Sequence, residues 1–188
     1  RFAGKWRGFG VDGTFELKRT KPEAKKYKEE EVIFQNGDVK LSGTLFLPIS
    51  RSKSPAVVLV HGSSPNERTS YRSWARNFAS NGIAALIYDK RGAGRSTGNT
   101  RAASMEDLAD DAIAGIRMLK LRRDIDVGKV GIAGHSQGGW IAPLAAARSG
   151  DVAFVITSAA VAVRPAEQSI YHRAGMMKQA GMTDAEIA

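Results

Sequence analysis

Apolar positions along this chain fall into alternating blocks, some with the period of a strand and some with that of a helix. In residues 1–20, Phe2, Trp6, Phe9, Phe15 and Leu17 are spaced among Gly4, Gly8, Gly10 and Gly13, which predicts short antiparallel strands joined by tight turns. The block is too short to close a sheet of its own. It is expected to be the end of a β-rich N-terminal module, or a strand added to the main domain. Residues 21–30 are expected to be a charged linker with a break at Pro22.

From residue 31 the alternation becomes regular. Residues 31–35 and 39–47 flank Asn36-Gly37, a strong hairpin signal. Leu41, Gly43, Leu45 and Leu47 alternate with Lys40, Ser42, Thr44 and Phe46, so one face of the second arm is expected to be buried. Residues 56–60 are continuously apolar, as in a central strand covered on both faces. Tyr71, Trp74, Ala75 and Phe78 keep helical spacing, and Asn81-Gly82 supplies a stop. Residues 83–88 form the next buried strand. Ser104, with Asp107 three residues on, opens a long helix whose stripe is Leu108, Ala112, Ile116 and Leu119. Residues 124–128 turn into a strand over 130–134, a helix over 140–148 follows, and 152–157 is a sixth strand. The sum is an α/β fold: a mostly parallel sheet with helices on both faces, led into by an antiparallel hairpin.

Composition changes this picture little. The 188 residues suffice for one domain with a sizeable core, and 43% hydrophobic with 25% charged residues describes an ordinary globular chain. No apolar run approaches the ~20 residues of a membrane span. The formal charge of +9 raises a nucleic-acid reading. However, Lys and Arg are scattered and interleaved with Glu23, Glu29 and Glu30, and no aromatic-interleaved basic motif is present. A solvated basic surface is expected, with no nucleic-acid partner. The absence of cysteine excludes disulfides and thiolate metal sites and leaves the compartment open.

The candidate chemistry lies between the strand over 130–134 and the helix after it. There, Gly134-His135-Ser136-Gln137-Gly138 fits a nucleophile elbow, a sharp strand-to-helix turn with serine at its apex. Glycine is needed at 134 and 138 because a Cβ at either flank would meet the neighbouring strand or helix. The Gln137 N–H, at a helix N-terminus, faces the space above Ser136 and can bind a developing oxyanion. The Gly92-x-Gly94 stretch lacks the lysine and hydroxyl of a phosphate loop and reads as a tight turn.

Four segments together carry a family resemblance: residues 31–38, His61-Gly62-Ser63-Ser64-Pro65-Asn66-Glu67-Arg68, residues 88–98 with Asp89-Lys90-Arg91-Gly92-Ala93-Gly94, and Gly134-His135-Ser136-Gln137-Gly138-Gly139. Residues 31–160 resemble the first two-thirds of an α/β-hydrolase, and are most similar to bacterial serine esterases and serine aminopeptidase-like hydrolases. The resemblance implies that Ser136 is the nucleophile. It makes the backbone N–H groups of Gln137 and Ser63 (or Ser64) the oxyanion hole, with His61, Gly62 and His135 supporting the loop and the elbow. Asp89 and Arg91 would tie loops together. It also implies a small acyl ester as substrate, no metal or organic cofactor, and a helical lid beginning within 161–188.

A serine hydroxyl needs a base and the base an orienting carboxylate, which in this fold follow the serine in the order Asp/Glu, then His. Only His172 follows, with Asp151 and Glu167 before it. His172 sits in a polar helical stretch over 166–179 and reads as a lid residue rather than the base. Thr183 to Glu186 is a capping box with almost no helix after it. The fold is therefore expected to break off after the sixth strand and the start of the lid. The acid and base would then come from the remainder of the same enzyme, in the same gene product or a second chain. The alternatives left open are an aminopeptidase or acyl-peptide hydrolase using the same site, and a catalytically incomplete hydrolase-like binding module.

Overall fold

The computed structural model describes residues 1–19, 24–50, 52–160 and 162–187, so Pro22, the expected linker break, lies outside the described residues. Strands β1 (Phe2–Gly8) and β2 (Val11–Leu17) form a separate two-stranded antiparallel sheet. Neither joins the main sheet, so the block is a hairpin rather than an added strand.

The main sheet has six strands: β3 (Tyr27–Asn36), β4 (Val39–Pro48), β5 (Ser54–Val60), β6 (Ala84–Tyr88), β7 (Ile125–His135) and β8 (Val155–Ser158). Their spatial order is β3-β4-β6-β5-β7-β8. The β3–β4 and β4–β6 pairs are antiparallel, and β5–β6, β5–β7 and β7–β8 are parallel. Because β3 begins at Tyr27, the charged linker expected over 21–30 is cut back: Lys28, Glu29 and Glu30 are strand residues paired with Leu47, Phe46 and Leu45.

Pleat alternation sends each apolar run into two cores. Ala56, Val58 and Val60 of β5 and Ala84, Leu86 and Tyr88 of β6 enter one, beneath α2 (Met105–Lys120) and α3 (Gly138–Arg148). Val57, Leu59, Ala85 and Ile87 enter the other, beneath α1 (Arg72–Ser80), with Tyr71, Ala75 and Ala79. This two-sided cover is why the runs are continuous rather than alternating. It also corrects the expectation for β4, which is buried on both faces from Leu41 to Pro48. Leu41, Leu45 and Leu47 pack toward α2, while Phe46 packs with Tyr27 on the α1 side.

The parallel strands β5, β6 and β7 run in the same direction, so His61, Lys90 and Ser136, each just past its strand, meet at one edge of the sheet. That edge of an open α/β sheet is where ligands bind. After β8, α4 (Pro165–Gln179) and α5 (Asp184–Ile187) carry no buried residue.

Candidate active site

Ser136 follows β7 and precedes α3, and it adopts φ = +53°. A left-handed conformation in a non-glycine residue costs on the order of 1–3 kcal/mol and persists only where the surroundings fix it. Here the Ser136 N–H donates to the Ser158 carbonyl at 3.0 Å, and the Ser136 carbonyl accepts from the Gly139 N–H at 2.8 Å. The flanking glycines are required by close approach. A Cβ on Gly134 would stand 1.9 Å from the Gly138 carbonyl oxygen, and one on Gly138 would stand 2.5 Å from that of Val60. The turn can be this tight only without those atoms, and the tight turn leaves the Ser136 side chain exposed.

The loop after β5 lies directly over this serine. A Cβ built on Gly62 would be 3.6 Å from Ser136 Cβ and 3.9 Å from Ser136 Oγ. The next residue, Ser63, is exposed beside it. Gln137 occupies the N-cap of α3, a position whose N–H has no intrahelical acceptor. The structure therefore brings Ser136, Gln137, Gly62 and Ser63 together.

The two upstream histidines serve as packing. His61 is only 2% exposed, with its ring edge-on to Tyr88 at 4.9 Å and to Tyr71 at 5.3 Å. Its Nε2 has no hydrogen-bond partner among the described residues. Burial, with the nearby Lys90 charge adding to it, pushes its pKa down to about 4. His135 is half-buried, with its ring 5.6 Å from Trp74 and 6.3 Å from Tyr71. Among the described residues no hydrogen bond joins Ser136 Oγ to a histidine.

His172 on α4 lies farther out. With Met105, Gln137, Trp140, Pro165, Gln168 and Ser169 it lines an open cavity of ≈ 320 Å³ beside the elbow. Trp140 Nε1–H donates to the Val163 carbonyl at 2.8 Å, tying the start of α3 to the segment that leads into α4. Of the two carboxylates that precede His172 in sequence, Asp151 pairs with Lys120 at 2.8 Å, and Glu167 is exposed, 3.8 Å from Arg164. A larger cavity of ≈ 600 Å³ lies between β3 and the outer side of α2 and is lined by none of the elbow residues.

Asp89 and Arg91 tie loops, as expected. Asp89 accepts from the Arg68 N–H at 2.9 Å and the Arg95 N–H at 3.0 Å. Arg91 makes a two-pronged pair with Asp111, both contacts at 2.7 Å. The φ angles of Gly92 (+74°) and Gly94 (+52°) are those of a tight turn.

Two residues that sequence reasoning left unassigned complete the site. Lys90 is 3% exposed, and its Nζ donates to the Gly62 carbonyl and to Gln137 Oε1, each at 2.8 Å. Burial lowers its pKa to about 8. On the opposite side of the same glycine, the Gly62 N–H donates to the Tyr71 hydroxyl at 3.1 Å. Burial raises the Tyr71 pKa, partly offset by that N–H. The available signal for Lys90 was its place just past a buried strand on the edge that carries Ser136. Tyr71 gave only its helical spacing.

The chain is similar to several known proteins. The family model described as serine aminopeptidase, S33, matches residues 51–183. Esterase EstD of Thermotoga maritima is 34% identical over 128 residues, which cover 64% of this chain and 30% of that protein. The quorum-quenching protein AidA of Acinetobacter baumannii is 31% identical over 128 residues, covering 68% of this chain and 42% of its own length. The chain thus spans well under half of either relative. Among solved structures, the α/β hydrolase GrgF from Penicillium superposes with a TM-score of 0.65 at 25% identity, over 81% of this chain and 54% of that one.

Proposed function

The chain belongs to the serine aminopeptidase (S33) family of α/β hydrolases, and from that premise we propose that it is the Ser136-bearing part of a serine hydrolase that cleaves carboxylic esters through an acyl-enzyme. The observation that supports this reading is the exposed Ser136 at φ = +53°, with the Gly62 loop standing over it.

In this reading, Ser136 Oγ attacks the acyl carbonyl carbon and its proton passes to the base. The carbonyl oxygen, now an anion, is held by the N–H groups of Gln137 and Ser63. As the carbonyl re-forms, the ester C–O bond breaks and the alcohol leaves with the proton. Water then attacks the acyl-enzyme by the same steps, releasing the acid and restoring Ser136. The base and its orienting carboxylate are proposed to come from outside the described residues. Support comes from the order Ser, Asp/Glu, His along the chain in this fold, and from Asp151 being paired with Lys120. The substrate is proposed to be a small acyl ester, with no nucleic-acid partner. Among the described residues, no helix is long and apolar enough to cross a membrane.

The test combines Ser136→Ala with intact mass after a fluorophosphonate probe. The expected result is one adduct mapping to Ser136 and turnover lost by at least about 10³-fold in the variant. Unchanged ester turnover in Ser136→Ala would sink the assignment. A second reading, amide or peptide hydrolysis at the same site, is favoured by the family description. Comparing kcat/KM for an ester and an amide of the same acyl group separates the two. A complete protein, carrying the residues beyond those described, that takes up no probe would instead be a hydrolase-like binding module.

A further inference from the structure

Lys90 is a buried, charge-bearing side chain for which the acyl-transfer chemistry has no step. Its Nζ bridges the two sides of the site, with one contact to the Gly62 carbonyl on the loop and one to the Gln137 side chain on the elbow, each at 2.8 Å. The Gly62–Ser63 peptide is planar and trans, so its C=O and the Ser63 N–H point in opposite directions. Whatever holds the carbonyl therefore aims the N–H. The peptide on the other side of Gly62 is held as well, because the Gly62 N–H donates to the Tyr71 hydroxyl at 3.1 Å. Glycine has no side chain to resist rotation, and two polar anchors fix it instead.

We infer that Lys90 is a positioning residue for the proposed oxyanion hole: its ammonium group clamps the Gly62 carbonyl, and so aims and polarises the Ser63 N–H at the developing oxyanion. The inference rests on the serine-hydrolase reading above. A charge-assisted hydrogen bond to the carbonyl draws electrons through the amide and strengthens the N–H as a donor. Tyr71 sets the same peptide from the other side.

The clamp has a pH limit. Burial puts the Lys90 pKa at about 8, so the charge-assisted bond weakens as pH rises through that value. The neighbouring groups leave this titration to Lys90. His61, just past β5, is held neutral with a pKa of about 4. Asp89, next to Lys90, is held by the Arg68 and Arg95 N–H groups and has the Arg68 guanidinium at 3.7 Å. The Tyr71 phenol is pushed above its ordinary range, Arg91 is turned to Asp111, and Gln137 does not titrate.

The experiment uses the complete protein, with the proposed base and carboxylate present, and measures kcat and KM against pH for its wild type, Lys90→Met and Lys90→Arg on a short-chain p-nitrophenyl ester, with the spontaneous rate subtracted. Loss of a single oxyanion donor typically costs 10²–10³ in kcat, so a misaimed one should cost about 10–10²-fold, with KM within about threefold. The wild type should lose kcat above about pH 8, Lys90→Met should be slow and flat there, and Lys90→Arg, which stays charged, should recover part of kcat and extend the plateau. A merely structural lysine would lower the melting temperature without moving the alkaline limb. Lys90→Met within about threefold of wild-type kcat near pH 7, or an alkaline limb at the same pH in all three proteins, overturns the inference. Should Lys90→Met fail to fold, wild type and Lys90→Arg decide it: no difference between their alkaline limbs overturns it. A wild type that neither turns over ester nor takes fluorophosphonate at Ser136 refutes the hydrolase reading itself. A labelled, active wild type whose profile ignores Lys90 refutes only the clamp.

Discussion

At the residue scale, the site is assembled from side chains that would be unfavourable elsewhere, and His61 shows the cost most directly. Its ring is sealed between Tyr71 and Tyr88, and its pKa of about 4 lies below the ordinary 6.5. A folded-state pKa below the unfolded one means that the unfolded chain binds the extra proton first. The neutral ring's contribution is therefore fully present above about pH 6.5 and is lost as pH falls toward about 4. The shift corresponds to roughly 3 kcal/mol. His61→Phe, which keeps an aromatic ring of similar size, should lose that much less stability than wild type between neutral and acid pH. Urea midpoints at both pH values check this, and equal losses in the two proteins would refute it. Residue-scale chemistry was only partly legible in the sequence. Gly134, Ser136 and Gly138 announce the tight turn because only that spacing of missing side chains lets β7, Val60 and α3 approach so closely. Lys90 announces only its place after a buried strand, since a lysine before an arginine in a glycine-rich loop otherwise looks like any solvated charge. Its burial depends on the loop and the elbow closing over it from opposite sides.

At the element scale, α2 is the helix whose start and middle are fixed by different physics. Its start carries the capping box read from the sequence: the Asp107 N–H donates to Ser104 Oγ at 3.1 Å and the Ser104 N–H to Asp107 Oδ2 at 2.9 Å. Its middle carries Asp111, fully buried, which holds Arg91 and accepts from Asn36 Nδ2 at 2.9 Å, so that helix, hairpin tip and the loop after β6 meet on one carboxylate. Ser104→Ala should cost about 1 kcal/mol. Asp111→Ala, which takes the two-pronged partner from a buried guanidinium and leaves it only Asp107, should cost about 3 kcal/mol. Chemical denaturation of both variants measures the ratio, and equal costs would show that Arg91 finds water once Asp111 is gone. The capping box was legible because it is local, with a period of three residues. The Asp111 junction joins segments 75 and 20 residues away and leaves no local trace. Element limits erred for the same reason. The polar Ser42 and Thr44 make β4 look one-sided in sequence, but both are buried with partners: Ser42 bonds Ser96 and Arg68, and Thr44 donates to Glu31. β7 starts at Ile125 because Ser54 pairs with it before a register shift.

At the scale of the whole molecule, stability should be graded from the middle of the main sheet outward. β5 and β6 are hydrogen-bonded on both edges and covered on both faces, and residues 84–88 are all buried. The β1–β2 hairpin is the opposite case. Its strands pair only with each other, and Phe2, Trp6, Phe9, Val11 and Leu17 are largely exposed. Its side-chain contacts include Phe15 lying over Gly4, the Trp6 indole over Gly13, and the exposed Arg7–Asp12 pair. The two aromatic contacts fill the space a side chain would occupy but bury little. An isolated two-stranded hairpin is marginal in water, whereas the central strands open only with global unfolding. Amide hydrogen exchange should therefore show β1 and β2 losing protection at least about 10²-fold faster than β5, with the edge strand β8, exposed over Val155–Thr157, in between. Equal protection of the hairpin and β5 would contradict the gradient. It would mean that the exposed aromatic face of the hairpin is covered in solution. The same gradient places the candidate site where rigidity is needed: His61, Lys90 and Ser136 each stand one or two residues past β5, β6 and β7, the strands least able to move.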